Sequence, residues 1–269
     1  MAPYFSVEHL VQLEEGLKGI QGKYEDFLHS YTTHGFSTTE GEEFAHHGLV
    51  RRIRVMARCI VAIFQALPPE NTELPPDDRV IDATIALQSF VFNLSGAIDN
   101  LAWVLVKERR ITDGNKPLPA TFVGLRSKNK VVRNALSDDF RTALEEFETW
   151  FTYVDSYRHS LAHRIPLYIP PHCVDPKNAA AYQDLERQHQ EALRKRDVKL
   201  HDKLRAEQAN LTFFRPWMQH SFSEDAQPVV FHAQVIADFL SIEELAWLTL
   251  KEIGGIRKSM PFRSLLFEN

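Results

Sequence analysis

Apolar residues recur at three- and four-residue spacing along most of this chain, and the pattern breaks at a few proline- or glycine-bearing stretches. That periodicity predicts a mostly helical protein. Ser6 stands before "VEHLVQLEEGLKGIQGKYEDFLHSY", which has the period of a helix although no full capping box opens it. A second helix is predicted from Thr39 to Leu67, and "LPPENTELPPDD" ends it and makes a short, stiff link to a third that starts near Asp78. This third segment, Val80 to Val106, is apolar nearly all round, as a helix running through the middle of a bundle is. Its one small or polar stripe, Ser89, Asn93, Gly96 and Asn100, marks a face where another helix can come close. After Arg110, "ITDGNKPLPA" reads as a loop and "TFVGLRSKNKVVRNAL" is ambiguous. "SDDFRTALEEFETWFTYVDSYRHSLAHR" then reads as one amphipathic helix opening at Ser137.

Downstream the character changes. Residues 172–212 contain a run dense in charges of both signs and poor in apolar residues, Pro176 to Leu211, which predicts a solvated helical arm inserted into the bundle. Residues 213–232 carry β-branched and aromatic side chains around a polar turn, the pattern of a small β-hairpin, and 233–254 form a closing amphipathic helix. The expectation is one all-α domain over 1–269 with these two additions.

Composition narrows the function. A formal charge of −5 and a pI near 6.2 argue against indiscriminate duplex binding and leave room only for a small polyanion site. The cysteines, Cys59 and Cys173, are too few for a disulfide framework, and "MAPYFSVEHLVQLEEG" lacks a basic head followed by an apolar core, so a reducing cytoplasm is expected. Val80 to Val106 carries Asp82, Gln88, Asn93, Asp99 and Asn100, and ionisable groups near a bilayer centre cost about 2.5 to 3.5 kcal/mol each on insertion scales. A buried helix is therefore expected there, with no membrane partner.

The chemistry concentrates in "DSYRHSLAHRIPLYIPP", Asp155 to Pro171. At about 100° per residue, Phe147, Trp150, Val154, Tyr157 and Leu161 share one direction, which predicts the core face. His159 and His163 point away from it, one turn apart, along a stripe running back through Ser156, Thr152 and Glu148. The stem of Arg158 packs at the edge of the core face while its guanidinium reaches outward. Pro166 disfavours helical geometry in the residue before it, so the helix should end at Arg164 or Ile165.

Histidine titrates near neutrality and arginine binds phosphate oxygens through a rigid fork. Together they suit RNA cleavage by the substrate's own 2′-hydroxyl, which needs one proton removed, one delivered, and charge stabilised on a phosphate, with no metal or other cofactor. Two other readings stay open. Cations at a helix C-terminus favourably meet the negative end of its dipole in any protein. His159 and His163 also have the i, i+4 spacing of a zinc-binding helix face, but Ser160 stands where a hydrolase motif has glutamate, and no third ligand is evident. Gly-rich phosphate loops, nucleophile elbows and paired-Cys sites are absent from the sequence.

Arg158, His159 and His163 in "YRHSLAHR" match the Arg-x4-6-His pattern of the HEPN superfamily, including a polar residue directly after the arginine. "NLSGAIDNLAWVL" is similar to the helix that many HEPN-like proteins place before the motif helix. The resemblance spans roughly Asp78 to Pro171 and the last helix; the arm and hairpin look like additions. It implies a HEPN-like bundle that dimerises with its motifs facing one another, acting as a metal-independent endoribonuclease in toxin–antitoxin, antiphage or RNA-processing systems. RNA would be the substrate and an antitoxin or nucleotide a further partner. Arg158 would hold the scissile phosphate and His163 would transfer the proton, with His159, Asp99 and Asn100 in support. Relatives whose motif is followed by a modifiable tyrosine two residues on are not matched, since Ile165 occupies that place and Tyr168 lies three further. Many superfamily members bind ligands without cleaving, so a non-catalytic module for a nucleotide, phosphate or protein partner is the alternative.

Overall fold

A computed structural model describes residues 4–221 and 227–254. It is mainly α-helical, with three two-stranded antiparallel ribbons at the periphery. Helix α1 (Val7–Thr33) opens at Ser6, whose hydroxyl accepts from the His9 amide at 3.2 Å. Helix α4 (Asp77–Glu108) runs through the centre, with Asp77 and Asp78 in its first turn complementing the helix dipole. Fifteen of its residues are buried, from Val80 to Val106, and they meet the other helices in one continuous core. Among the described residues α4 alone is long and apolar enough to cross a bilayer, yet 61% of its most apolar window lies inside the fold.

The predicted Thr39–Leu67 helix is interrupted. Helix α2 (Thr39–Glu43) passes into a π-helical turn (Phe44–Val50) before α3 (Arg51–Ala66), a local change of winding that a period count does not register. This turn carries Gly48 against the small-polar stripe of α4: a Cβ at Gly48 would lie 2.6 Å from Asn100 Nδ2. Arg52 at the start of α3 lies over Gly96 and donates from Nε to Asn100 Oδ1 at 2.9 Å. The stripe is thus occupied within the chain.

The long helix expected from Ser137 is also divided. Ser137 does cap it, accepting from the Phe140 amide at 3.3 Å, but α6 (Asp138–Glu146) and α7 (Glu148–His163) are separated at Phe147. There the amide bonds back to Leu144 rather than one residue earlier, while the ring is buried against Trp150 and Phe151. Before α6, the ambiguous stretch contains a 3-10 turn (Ala120–Phe122) and the short helix α5 (Lys130–Asn134). The predicted loop holds a two-residue ribbon, β1 (Thr112–Asp113) with β2 (Lys116–Pro117), turning at Gly114 with φ of 59°.

The arm is a helical hairpin. After β3 (Cys173–Val174), α8 (Ala179–Arg194) and α9 (Val198–Ala209) fold back on each other, and β4 (Thr212–Phe213) returns to pair with β3. Its buried apolar residues, Ala192 and Leu204, stand apart from the main core cluster. Replacing 176–211 by a short Gly-Ser linker should therefore leave the bundle folded, because Val174 and Thr212 are already strand partners and little core surface is lost. Thermal melting checks this; loss of a cooperative transition would show that the arm belongs to the core.

The expected hairpin is shorter than 213–232. Trp217 and Met218 (β5) pair with Val230 and Val229 (β6) in an antiparallel ribbon; residues 222–226 lie outside the described residues. Phe213, however, pairs with Cys173 across the base of the arm, and Phe231 and His232 are already helical, since α10 spans Phe231–Glu252. Helix α10 packs beside α1, with Tyr31 donating to the Ala246 carbonyl at 2.7 Å. Its last turn holds the start of α6, Glu252 accepting from the Ser137 amide and from Arg109. These ties fix where α7 lies.

Candidate functional site

Helix α7 lies against α4 and presents Phe151, Val154, Tyr157 and Ser160 as its buried face. The expected face is rotated: Phe147, Val154 and Tyr157 are buried as anticipated, Trp150 and Leu161 are only partly buried, and Phe151 and Ser160 take their place. A heptad-like count centred on Trp150 misses this because Trp150 instead donates its indole N–H to Asp238 of α10 at 2.8 Å.

Arg158, His159 and His163 are all exposed, on the side of α7 away from that core. The two imidazoles meet edge to face with centroids 5.2 Å apart. None of the three makes a hydrogen bond or ion pair with another described residue. His163 is the last helical residue and Arg164 the cap, its amide bonded to the Ser160 carbonyl at 2.9 Å, one residue before the earliest end that Pro166 predicts. The chain leaving the helix is then pinned: Gln88 of α4 donates to the Leu167 carbonyl at 2.7 Å, and Tyr168 exchanges two backbone hydrogen bonds with Gln219.

Of the supporting residues, Asp99 is beside the motif and Asn100 is not. Asp99 lies on α4 close enough to Arg158 to feel its charge. Reduced solvation raises the Asp99 pKa and the nearby Asp155 carboxylate raises it further, against the pull of Arg126, Arg158 and Arg52. Asp99 keeps 58% of its side chain exposed, so its pairing is a matter of local field rather than stability. Asn100 is turned to Arg52 and Gly48, where it closes the α3 contact.

Arg126, Asp155 and His220 also belong to the site, although spacing does not mark them. Arg126, from the ambiguous segment, grips Asp155 of α7 with two hydrogen bonds, Nε at 3.2 Å and a terminal nitrogen at 2.6 Å, and reaches Asp99 at 3.3 Å. Its guanidinium also lies 5.3 Å from the Phe151 ring centre, so it fastens α7 to α4. His220, buried at the end of the β5 segment, packs edge-on to Tyr157 at 5.0 Å and stands 3.4 Å from the Ser156 hydroxyl. The sequence signal for Asp155 was its place in the motif string; Arg126 and His220 sit in segments without a helical period, where spacing says nothing about contacts. The polar stripe is shortened accordingly: Glu148 pairs with Arg133 and Ser156 faces His220, while Thr152, His159 and His163 stay exposed, the two histidine rings against each other.

Among the described residues no group of three His, Cys, Asp or Glu side chains is placed to hold a metal ion, so His159 and His163 have no third ligand there. Comparison with protein-family models, curated proteins and solved structures finds no match to this chain.

Proposed function

We propose that this chain is a metal-independent endoribonuclease of HEPN type, working as a homodimer with Arg158 and His163 at a composite site. The observation that carries the reading is the uncommitted trio Arg158, His159 and His163 at the open end of a well-anchored helix. A cationic fork and two imidazole rings without hydrogen-bond partners among the described residues have free hydrogen-bonding capacity for a phosphodiester. Ile81, Ile85 and Phe92 of α4 add apolar exposure of 51%, 61% and 43% on the helix that also carries Asp99. A two-fold partner covering them would bring a second motif close.

In that arrangement His163 accepts the proton of the ribose 2′-hydroxyl, whose oxygen attacks phosphorus. The 5′-oxygen leaves with a proton from the partner subunit's His163, and Arg158 neutralises the extra charge on the phosphoryl oxygens. Arg126 and Asp155 hold α7 in register for this, and Asp99 orients Arg158. RNA is then the substrate, and an antitoxin or a regulatory nucleotide would act by covering the same face, as in a toxin–antitoxin or antiphage setting.

The test combines assembly with product chemistry. Light scattering at tens of micromolar, with a Thr152→Cys crosslink, should give a dimer, because an interface of standard size holds at that concentration. Cleavage should survive EDTA and leave 2′,3′-cyclic phosphate ends. A strict monomer sinks the composite site, and activity lost to chelator and restored by zinc favours a metal on His159 and His163. Tight nucleotide binding without cleavage, abolished by His163→Ala, makes the chain a non-catalytic module.

A further inference from the structure

Away from α7, the loop before β5 holds a second arginine in an unusual setting. The Arg215 guanidinium carbon lies 4.9 Å from the ring centre of Tyr4, 5.0 Å from Phe213 and 5.9 Å from Trp217. Tyr4 is itself held, its hydroxyl accepting from the Trp217 indole at 3.0 Å, so the rings form a braced box. Arg215 Nε is buried without a hydrogen-bond partner, and no carboxylate forms an ion pair with the guanidinium among the described residues. A buried guanidinium N–H without an acceptor is costly, and three rings satisfy the charge without satisfying the directional donors.

The same side chain lines a cavity of about 320 Å³. Pro68, Pro69, Phe214 and Pro216 give it flat apolar walls, while Asn71 and Thr72 supply polar groups from the linker between α3 and α4. The carboxylate at its edge, Asp175, is already engaged: it caps the Pro176 turn through the Lys177 amide at 3.0 Å and pairs with the Lys177 ammonium at 3.0 Å. Its charge is thereby offset, and the unpaired charge facing the cavity is positive. The volume is at the lower end of small-molecule sites, about 300 to 1,000 Å³.

We infer that this cavity binds a small anionic ligand, a flat ring system carrying a phosphate or carboxylate, with the anionic oxygens on Arg215 and the ring between the proline and aromatic walls. The terminal nitrogens of the Arg215 fork, which have no acceptor among the described residues, take two oxygens of either group, while Nε stays closed off among the rings. Asn71 and Thr72 then meet the polar edge of the ring. The site is separate from Arg158 and does not depend on the ribonuclease reading.

The test uses the full chain with adenosine 5′-monophosphate, adenosine, inorganic phosphate and indole-3-acetate as probes, followed by calorimetry and by tryptophan emission, which Trp217 makes sensitive to the box. Adenosine 5′-monophosphate or indole-3-acetate should bind and uncharged adenosine at least about tenfold more weakly, since a hydrogen-bonded charge pair is lost. Which of the two anions binds tighter distinguishes a phosphate source from a carboxylate one. Arg215→Met keeps the apolar stem among the rings and should weaken binding by about tenfold or more, and Arg215→Lys should not restore it. Arg158→Ala should leave it unchanged. If Arg215→Met fails to fold, Asn71→Ala, also in the cavity lining, gives the same reading through a smaller loss. Absence of binding by every anionic probe at millimolar concentration, or binding indifferent to Arg215→Met and Asn71→Ala, overturns the site and leaves Arg215 a clip between the N-terminus and β5.

Discussion

His163→Ala should lower RNA cleavage by about a hundredfold or more while the melting temperature stays within a few degrees, because a positioned general acid or base contributes roughly 10² to 10⁴ to a rate. The structural half of that expectation comes from the exposure of His163 at the end of α7: its ring lies against the exposed His159, so its removal opens no buried cavity. Arg158→Lys should be nearly as damaging, since a point charge cannot present two parallel N–H donors to a phosphate. Arg126→Ala is the informative contrast. It breaks the two bonds to Asp155 and the contact to Asp99 and leaves a carboxylate pair facing itself, so it should lower activity and stability together. Wild-type cleavage rates in purified His163→Ala protein would remove the histidine from the mechanism, and equal melting temperatures for wild type and Arg126→Ala would remove Arg126 as the anchor of α7.

How much of this was legible in the sequence depends on the kind of order involved. The apolar run Val80–Val106 announces a central helix because it is apolar nearly all round, and α4 occupies that place with Ile81, Ile85 and Phe92 left exposed. Ser137 announces a helix start because its hydroxyl is a ready acceptor for an orphan amide, and it caps α6. What spacing does not carry is the single-residue break at Phe147 and the π-helical turn at Phe44–Val50, because both are short against the stretch of chain over which a period shows. Nor does it carry tertiary partners. Arg158, His159 and His163 were found as a local pattern on one helix. Arg126 was not, although it holds that helix in place, since it comes from a segment between short turns and meets Asp155 and Asp99 only through the fold. The partner of Asn100 is equally hidden from spacing: one residue along α4 from Asp99 is about 100° around it, and its side chain meets Arg52 of α3.

The closing helix makes a second large prediction, about pH and stability. Asp238 of α10 is 1% exposed and accepts from Trp150 at 2.8 Å and from Gln234 at 2.8 Å. Burial pushes its carboxyl up from 3.8 to about 7, despite the hydrogen bonds from Trp150 and Gln234 and the neighbouring Tyr153. The cost shows on its neighbours too, burial and then the Asp238 charge raising the Tyr157 phenol to about 12. On the same helix His232 is buried, with Nε2 bonded to the Leu67 carbonyl at 2.6 Å, and loss of solvation lowers it from 6.5 to about 4.

The two groups work against each other. Asp238 holds its proton more tightly folded than unfolded, so its contribution is greatest below pH 3.8 and is lost as pH rises through 7. His232 releases its proton more readily when folded, so its contribution is full above pH 6.5 and is lost as pH falls through 4. Between about pH 4 and 6.5 their slopes oppose, and wild-type stability in urea should carry little pH dependence from this pair. Asp238→Asn keeps an oxygen for Trp150 and removes the titration, so its stability should rise by about 3 kcal/mol from pH 4 to pH 6.5, the slope of His232 alone. His232→Gln, with a donor left for Leu67, should show the reverse slope, falling from pH 4 towards pH 7. Parallel stability curves for wild type, Asp238→Asn and His232→Gln across that window would show that neither side chain titrates from the buried state the structure gives it.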